Sequence, residues 1–190
     1  MKKIIQIEPW IDRRELKELK KVIKSTFVSE HKATKEFETL IQQITKSNYA
    51  VSMTNGTAAL FCALKALGVG EGDEVIVPNM TFIASANAVI FTGATPVLCD
   101  VDKDSFCMSA EEASKVISPR TKAIMPVHLY GKSCDMDSLK ELAKSHNVKI
   151  IEDAAQGMGV LYKGRHVGTF GEAGVLSFYA NKTITCGEGG

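Results

Sequence analysis

No stretch of this chain approaches the ~20 consecutive apolar residues that a membrane-spanning helix needs, so no membrane partner is expected. Long basic runs are also missing. Lysine and arginine number 23 against 22 acidic residues, a formal net charge of +1, which gives no support to nucleic-acid binding through a charged surface. Cysteine is too sparse and irregular for a disulfide framework. The five residues Cys62, Cys99, Cys107, Cys134 and Cys186 are odd in number and scattered. They suit reduced thiols in a cytosol, and a cytoplasmic location is expected. The opening Met1-Lys2-Lys3, followed by Ile4-Ile5-Gln6-Ile7-Glu8, reads as too short and too polar for a signal peptide. Internal repeats, low-complexity segments and clear linkers are not found.

What remains is a chain of 190 residues with a hydrophobic fraction of 45%, enough for one sizeable core, or for one domain and part of a second. Residues 12–25 read as an amphipathic helix with Leu16, Leu19, Val22 and Ile23 on one face, and residues 33–46 as a second with Phe37, Leu40, Ile41 and Ile44. Beyond residue 46 the pattern changes. Short apolar runs at 49–53, 74–77, 95–98, 122–127, 148–151 and 174–178 predict strands. Helical stretches at 57–67, 82–92, 109–117 and 135–146 fall between most of them. Such alternation predicts an α/β fold, a mainly parallel sheet with helices on both faces.

Ligands in such folds sit beyond the carboxyl ends of the strands. Those ends carry Thr54-Asn55-Gly56-Thr57, Pro78-Asn79-Met80-Thr81-Phe82, His128-Leu129-Tyr130, Glu152-Asp153-Ala154-Ala155-Gln156 and Ser177 through Lys182. Lys182 follows an apolar run and precedes a Gly-rich turn. Held in a cleft, its amine could lose its proton near neutral pH and attack an aldehyde; the ordinary alternative is a solvated loop lysine. Gly56, Thr57 and Ala58 open a helix whose free N–H groups and Thr57 hydroxyl could hold a phosphate, unless Thr54 or Asn55 makes this a plain helix cap.

Asp153 ends an apolar strand, where a carboxylate needs a cationic partner. A protonated pyridine nitrogen would serve; the alternative is the cap of a helix beginning at Ala154. Gln156 could reach a cofactor's phenolic oxygen or complete a capping box. Phe82 could stack on a flat cofactor or pack in the core. Ser177 could donate to a phosphate. His128 could serve the site or be a satisfied structural histidine.

Two patterns are decoys. Asp100, Asp102, Asp104 and Glu111 fall at calcium-loop positions one, three, five and twelve, but Ser105 stands at position six, where that loop turns on glycine. No metal site is expected, and Ser109 with Glu112 reads as a capping box. Gly68-Val69-Gly70-Glu71-Gly72 follows a helix, so it is a turn and not a dinucleotide fingerprint.

The chain resembles the DegT/DnrJ/EryC1/StrS sugar aminotransferases, pyridoxal-phosphate enzymes of the aspartate-aminotransferase fold type. Matching stretches run almost throughout: Asn55 to Leu60, Gly72 to Pro78, Thr81-Phe82, Asp100 to Asp102, Pro126 to Gly131, Glu152 to Gln156 and Ser177 to Gly190. The resemblance implies pyridoxal 5'-phosphate as cofactor, with Lys182 as the Schiff-base lysine and Asp153 as partner of the pyridine nitrogen. It implies Gln156 at the phenolic oxygen, Phe82 over the ring, and Gly56, Thr57, Ala58 and Ser177 around the phosphate. Residues 46–190 would be a large cofactor-binding domain, incomplete, preceded by a helical segment at 1–45. The Gly187-Glu188-Gly189-Gly190 ending and the length of family members imply a longer protein with a small C-terminal domain.

The implied reaction passes an amino group, by resemblance from glutamate, to a nucleotide-linked keto-deoxy sugar destined for surface polysaccharide or antibiotic sugars. Asn181-Lys182-Thr183-Ile184-Thr185 resembles the perosamine-synthase subgroup, which aminates a GDP-linked 4-keto-6-deoxy sugar. Phe27 to Lys32 departs from the Gly-Pro usual there, a difference bearing on substrate contacts. A homodimer with its site at the subunit interface is implied. Two other outcomes stand beside it: a sugar dehydratase, which in this family carries histidine in place of the lysine, and a fragment with no activity of its own.

Overall fold

The computed structural model describes residues 8–190, so the expectation about Met1–Ile7 lies outside the described residues. Two helices come first, α1 (Arg13–Ser25) and α2 (Lys32–Thr45). Asp12 caps α1 through a capping box with Glu15, and Thr26 closes it in the left-handed region. The apolar stripe of α1 expected from its periodicity is present, yet no residue of α1 is buried. Leu16, Leu19 and Ile23 face away from the core.

The rest alternates as expected: α3 (Gly56–Ala66), β1 (Glu74–Pro78), α4 (Ala84–Phe91), β2 (Thr95–Cys99), α5 (Ala110–Ser114), β3 (Thr121–Ile124), a 3₁₀ turn (Leu129–Gly131), α6 (Met136–His146), β4 (Lys149–Asp153) and β7 (Ala173–Val175). Between β4 and β7 lies a short hairpin, β5 (Leu161–Tyr162) with β6 (Arg165–His166). The main sheet has the order β2-β1-β3-β4-β7, all neighbours parallel. The order in which strands are added reverses between β1 and β3, because β2 lies to one side of β1 and the later strands of this sheet to the other. That crevice is where α/β sheets place ligands.

Successive strand residues feed opposite faces. Ile76, Ile124 and Ile150 join Met108, Met136 and Leu139 on one side. Val75, Val77, Met125, Ile151 and Val175 join Leu60, Leu64 and Val89 on the other. Helix α4 covers the second face, and α5 and α6 the first. Both faces being covered explains why these strands read as continuous apolar runs.

Three expectations need correction. Residues 49–53 are extended but form no strand; Tyr49 and Val51 are exposed, and the pairing there is Met53 with Gly190, each N–H donating to the other's carbonyl at 2.8 and 3.1 Å. The strand foreseen at 174–178 is only Ala173–Val175, because Phe178 leaves the sheet and its N–H pairs with Gly189 O. The helix foreseen at 109–117 is a single short turn, Ala110–Ser114, capped by the Ser109 hydroxyl accepting from Glu112 N–H. Among the described residues no helix is long and apolar enough to cross a membrane.

Candidate active site

The carboxyl ends of the strands open onto a cleft of about 910 Å³. Gly56, Thr57, Ala58, Phe82, Asp153, Gln156, Ser177 and Lys182 all line it. They come from α3, the approach to α4, the end of β4 and the loop after β7, so the fold brings together positions up to 126 residues apart (182 − 56). His128 does not line it.

The candidate phosphate end lies at the start of α3. Asn55 is the helix cap, its side chain accepting from Ala58 N–H at 2.9 Å. That leaves the first-turn N–H groups of Gly56 and Thr57 as the donors free of intrahelical partners. The Asn55 cap therefore leaves donors that an anion could use. Gly56 is small for a reason: a Cβ there would stand 3.3 Å from the Ser177 Cβ. Its absence lets the Ser177 loop approach the helix terminus, and the Ser177 hydroxyl faces the same end.

Asp153 is buried, and the helix-cap alternative fails because no helix follows it; residues 155–156 form a turn. Its two oxygens are separately held. Oδ2 accepts from the Ser85 hydroxyl at 2.8 Å and Oδ1 from Ala155 N–H at 3.1 Å. Burial pushes the carboxyl up from its ordinary range, opposed by those two hydrogen bonds and by the positive charge of Lys182. Lys182 is half-buried, and burial lowers its ammonium from the ordinary lysine value while the Asp153 charge works the other way. The two groups thus face one another electrostatically across the cleft.

Gln156 is not a capping-box partner. Its Oε1 accepts from Tyr130 N–H at 2.7 Å, which leaves its amide N–H groups for a ligand. Phe82 is 72% exposed, so the core-packing alternative fails for it as well. His128 is the satisfied structural histidine: fully buried, with Nε2 3.0 Å from Glu152 and Nδ1 accepting from Cys134 N–H. Ser85 was missed by sequence reasoning, since a serine inside an apolar helix gives no sign of what it faces. Asn181 and Glu188 also line the cleft.

These groups fit pyridoxal phosphate chemically. They offer anion-binding donors at one end, a buried carboxylate for a cationic nitrogen, an exposed aromatic face and a desolvated amine. A second groove, about 640 Å³, runs between α2, residues 47–53 and the β7 region. Its carboxylates are already engaged, Glu38 by Ser52 N–H and Lys35 and Glu172 by Ile150 N–H and Lys149, and it has no comparable convergence.

Comparison with known proteins follows the same line. The chain is 47% identical over 191 residues to the GDP-perosamine synthase of Escherichia coli O157:H7, covering 100% of this chain and 52% of that protein. To the Caulobacter vibrioides GDP-perosamine synthase it is 52% identical over 155 residues, covering 82% of this chain and 42% of the relative. Among solved structures, the Psychrobacter cryohalolentis aminotransferase superposes with a TM-score of 0.94 at 43% identity, over 96% of this chain and 48% of that one. The PLP-form of the putative sugar aminotransferase Spr1654 from Streptococcus pneumoniae superposes at 0.92 and 34% identity, over 98% and 51%. The chain spans about half the length of the curated relatives it matches. With residues 9–190 matching its signature, the chain belongs to the DegT/DnrJ/EryC1/StrS aminotransferase family.

Proposed function

We propose that this chain forms the cofactor-binding part of a pyridoxal-phosphate aminotransferase that moves an amino group, from glutamate, onto a nucleotide-linked keto-deoxy sugar. GDP-4-keto-6-deoxymannose is the leading substrate, on the strength of the two GDP-perosamine synthases above. One observation carries the proposal: a desolvated amine and a buried carboxylate, Lys182 and Asp153, line one cleft from different elements.

When bound, pyridoxal phosphate would supply an aldehyde for amine capture and a ring that draws electrons from the substrate's α-carbon. The protein's share is positional. Gly56 and Thr57 N–H groups, with the Thr57 and Ser177 hydroxyls, anchor the phosphate; Ala58 lines that pocket while its own N–H serves the cap. Asp153 would hold the pyridine nitrogen cationic. Gln156, its Oε1 taken by Tyr130 N–H, would offer its amide N–H to the phenolic oxygen, and Phe82 would offer an aromatic face to the ring. Lys182 Nζ would be the group that takes up and returns a proton, which requires a neutral amine; burial lowers its ammonium from the ordinary lysine value in that direction.

Residues 46–190 act as the cofactor-binding large domain, and α1 and α2 form the helical segment ahead of it. We place the protein in the cytoplasm as a homodimer. The exposure of Phe82 and Phe91 at the cleft supports a second subunit covering it. Lysine rather than histidine at position 182 favours amine transfer over dehydration. The test is direct. The purified protein receives pyridoxal phosphate, then glutamate and GDP-4-keto-6-deoxymannose, and products are read by mass. Aminated sugar is expected. Loss of water without nitrogen gain would indicate the dehydratase, and cofactor binding without turnover an inactive fragment.

A further inference from the structure

Ser85 is fully buried in the first turn of α4, 68 residues from Asp153 in sequence, yet its Oγ lies 2.8 Å from Asp153 Oδ2. The same Oγ is 2.9 Å from Thr81 Oγ1. An ionised carboxylate can only accept, so at that contact the serine is the donor. Its single proton is then committed, and the contact with Thr81 requires Thr81 to donate. The carbonyl of Phe82 competes for the Ser85 proton from 3.4 Å; it is neutral and more distant, so the charged acceptor wins. The result is a one-way chain, Thr81 to Ser85 to Asp153, in which each donor strengthens the next.

We propose that Ser85 is the positioning residue that keeps the Asp153 carboxylate ionised and aimed at the cofactor's ring nitrogen. This rests on the function proposed above. Three features single out Ser85. Its hydrogen bond is the strongest influence holding Asp153 in the charged form against burial. It arrives from α4, 68 residues earlier in the chain, so Oδ2 is fixed by an element other than the one that carries Asp153. And Oδ1 is held independently by Ala155 N–H, so the two contacts together set the carboxylate plane. The other charged or titratable groups acting on Asp153 are Lys182, from the loop after β7, and His128, from the turn after β3. Its neighbour Glu152 is engaged by His128 and the N–H groups of Gly168, Phe170 and Gly171.

The experiment is a carbon-13 NMR titration of the Asp153 carboxyl in the unloaded protein, assigned with Asp153→Asn. It is paired with the pH profile of the visible absorption band after adding pyridoxal phosphate. Ser85→Ala should raise the Asp153 titration midpoint by about one pH unit, the size expected for losing a hydrogen bond to a charged group. It should also shift the pH profile of the band. Ser85→Thr keeps the hydroxyl and should restore both. A structural role alone would lower melting temperature without moving either midpoint. An Asp153 midpoint in Ser85→Ala equal to wild type would overturn the proposal. Should Ser85→Ala not fold, Ser85→Cys keeps the volume with a weak donor and should also shift upward; an unmoved midpoint there overturns it equally. If wild type gives no absorption band, the proposed function fails, while the titration still decides the role of Ser85.

Discussion

The imidazole of His128 stands 3.0 Å from the carboxylate of Glu152, and both side chains are fully shut off from water. Because Nδ1 accepts from Cys134 N–H at 3.2 Å, the ring carries its proton on Nε2 and donates it to Glu152. Glu152 also accepts N–H groups from Gly168, Phe170 and Gly171. One buried anion thus ties together β4, the turn after β3 and the loop leading to β7.

Truncating Glu152 leaves the buried His128 ring and three part-buried N–H groups, those of Gly168, Phe170 and Gly171, without their acceptor. Glu152→Ala is expected to destabilise the fold by about 3–5 kcal/mol, read from urea unfolding. A loss below about 1 kcal/mol would mean that water or a neighbour replaces the carboxylate.

Acid should find the same group. Burial works to raise the Glu152 carboxyl, but the hydrogen bonds from His128, Gly171 and Gly168 outweigh it and hold it below the ordinary range. A depressed folded value contributes stability above the unfolded glutamate value of about 4.3 and loses it as pH falls through the folded value. Glu152→Gln should therefore show a flatter decline of stability below about pH 4 than wild type. Parallel declines would contradict this.

Asp153 behaves with the opposite sign. Its folded value is raised, so the folded state holds the proton more tightly. Its contribution is present below the unfolded value of about 3.9 and fades as pH rises through the folded one. In the unloaded protein Asp153→Asn should remove that slope, and at neutral pH it should unfold no more easily than wild type. The same variant should bind pyridoxal phosphate poorly. A variant that binds as wild type does would detach Asp153 from the ring nitrogen.

Lys182→Ala should abolish both the visible absorption band and amine transfer. In wild type, borohydride trapping of pyridoxal phosphate should concentrate on Lys182. It should set in at lower pH than at exposed lysines, since burial lowers this amine. Peptide mapping that finds the label spread evenly over surface lysines would count against the assignment.

Gly171→Ala probes the cage from its backbone. A Cβ there would meet the Ile150 carbonyl, while the Gly171 N–H donates to Glu152 at 2.8 Å. Overpacking of this kind costs about 1–3 kcal/mol, and a matching fall in melting temperature is expected.

The alternation of strands and helices was legible because strands covered on both faces are apolar throughout, as Val75-Ile76-Val77 shows. The cleft was legible because polar residues at the ends of such strands stand out: Asp153 after Ile150-Ile151, and Lys182 after the run at 174–178. What could not be read depends on partners far along the chain. Ser85 gains its meaning from a residue 68 positions away. Glu152 looks like one more charged residue until Gly168, Phe170 and Gly171 fold back over it. The β5–β6 hairpin is two residues per strand, too short for periodicity. Residues 49–53 have strand composition, but a strand also needs a neighbour, and among the described residues only Met53 has a backbone partner, Gly190.

The cleft draws Thr57 and Lys182 from far-separated points along the chain. During synthesis on the ribosome, which proceeds from the N-terminus, the start of α3 emerges long before Lys182 does. A nascent polypeptide therefore presents only part of the cleft's lining, which closes up once Ser177 and Lys182, five positions apart, have both emerged.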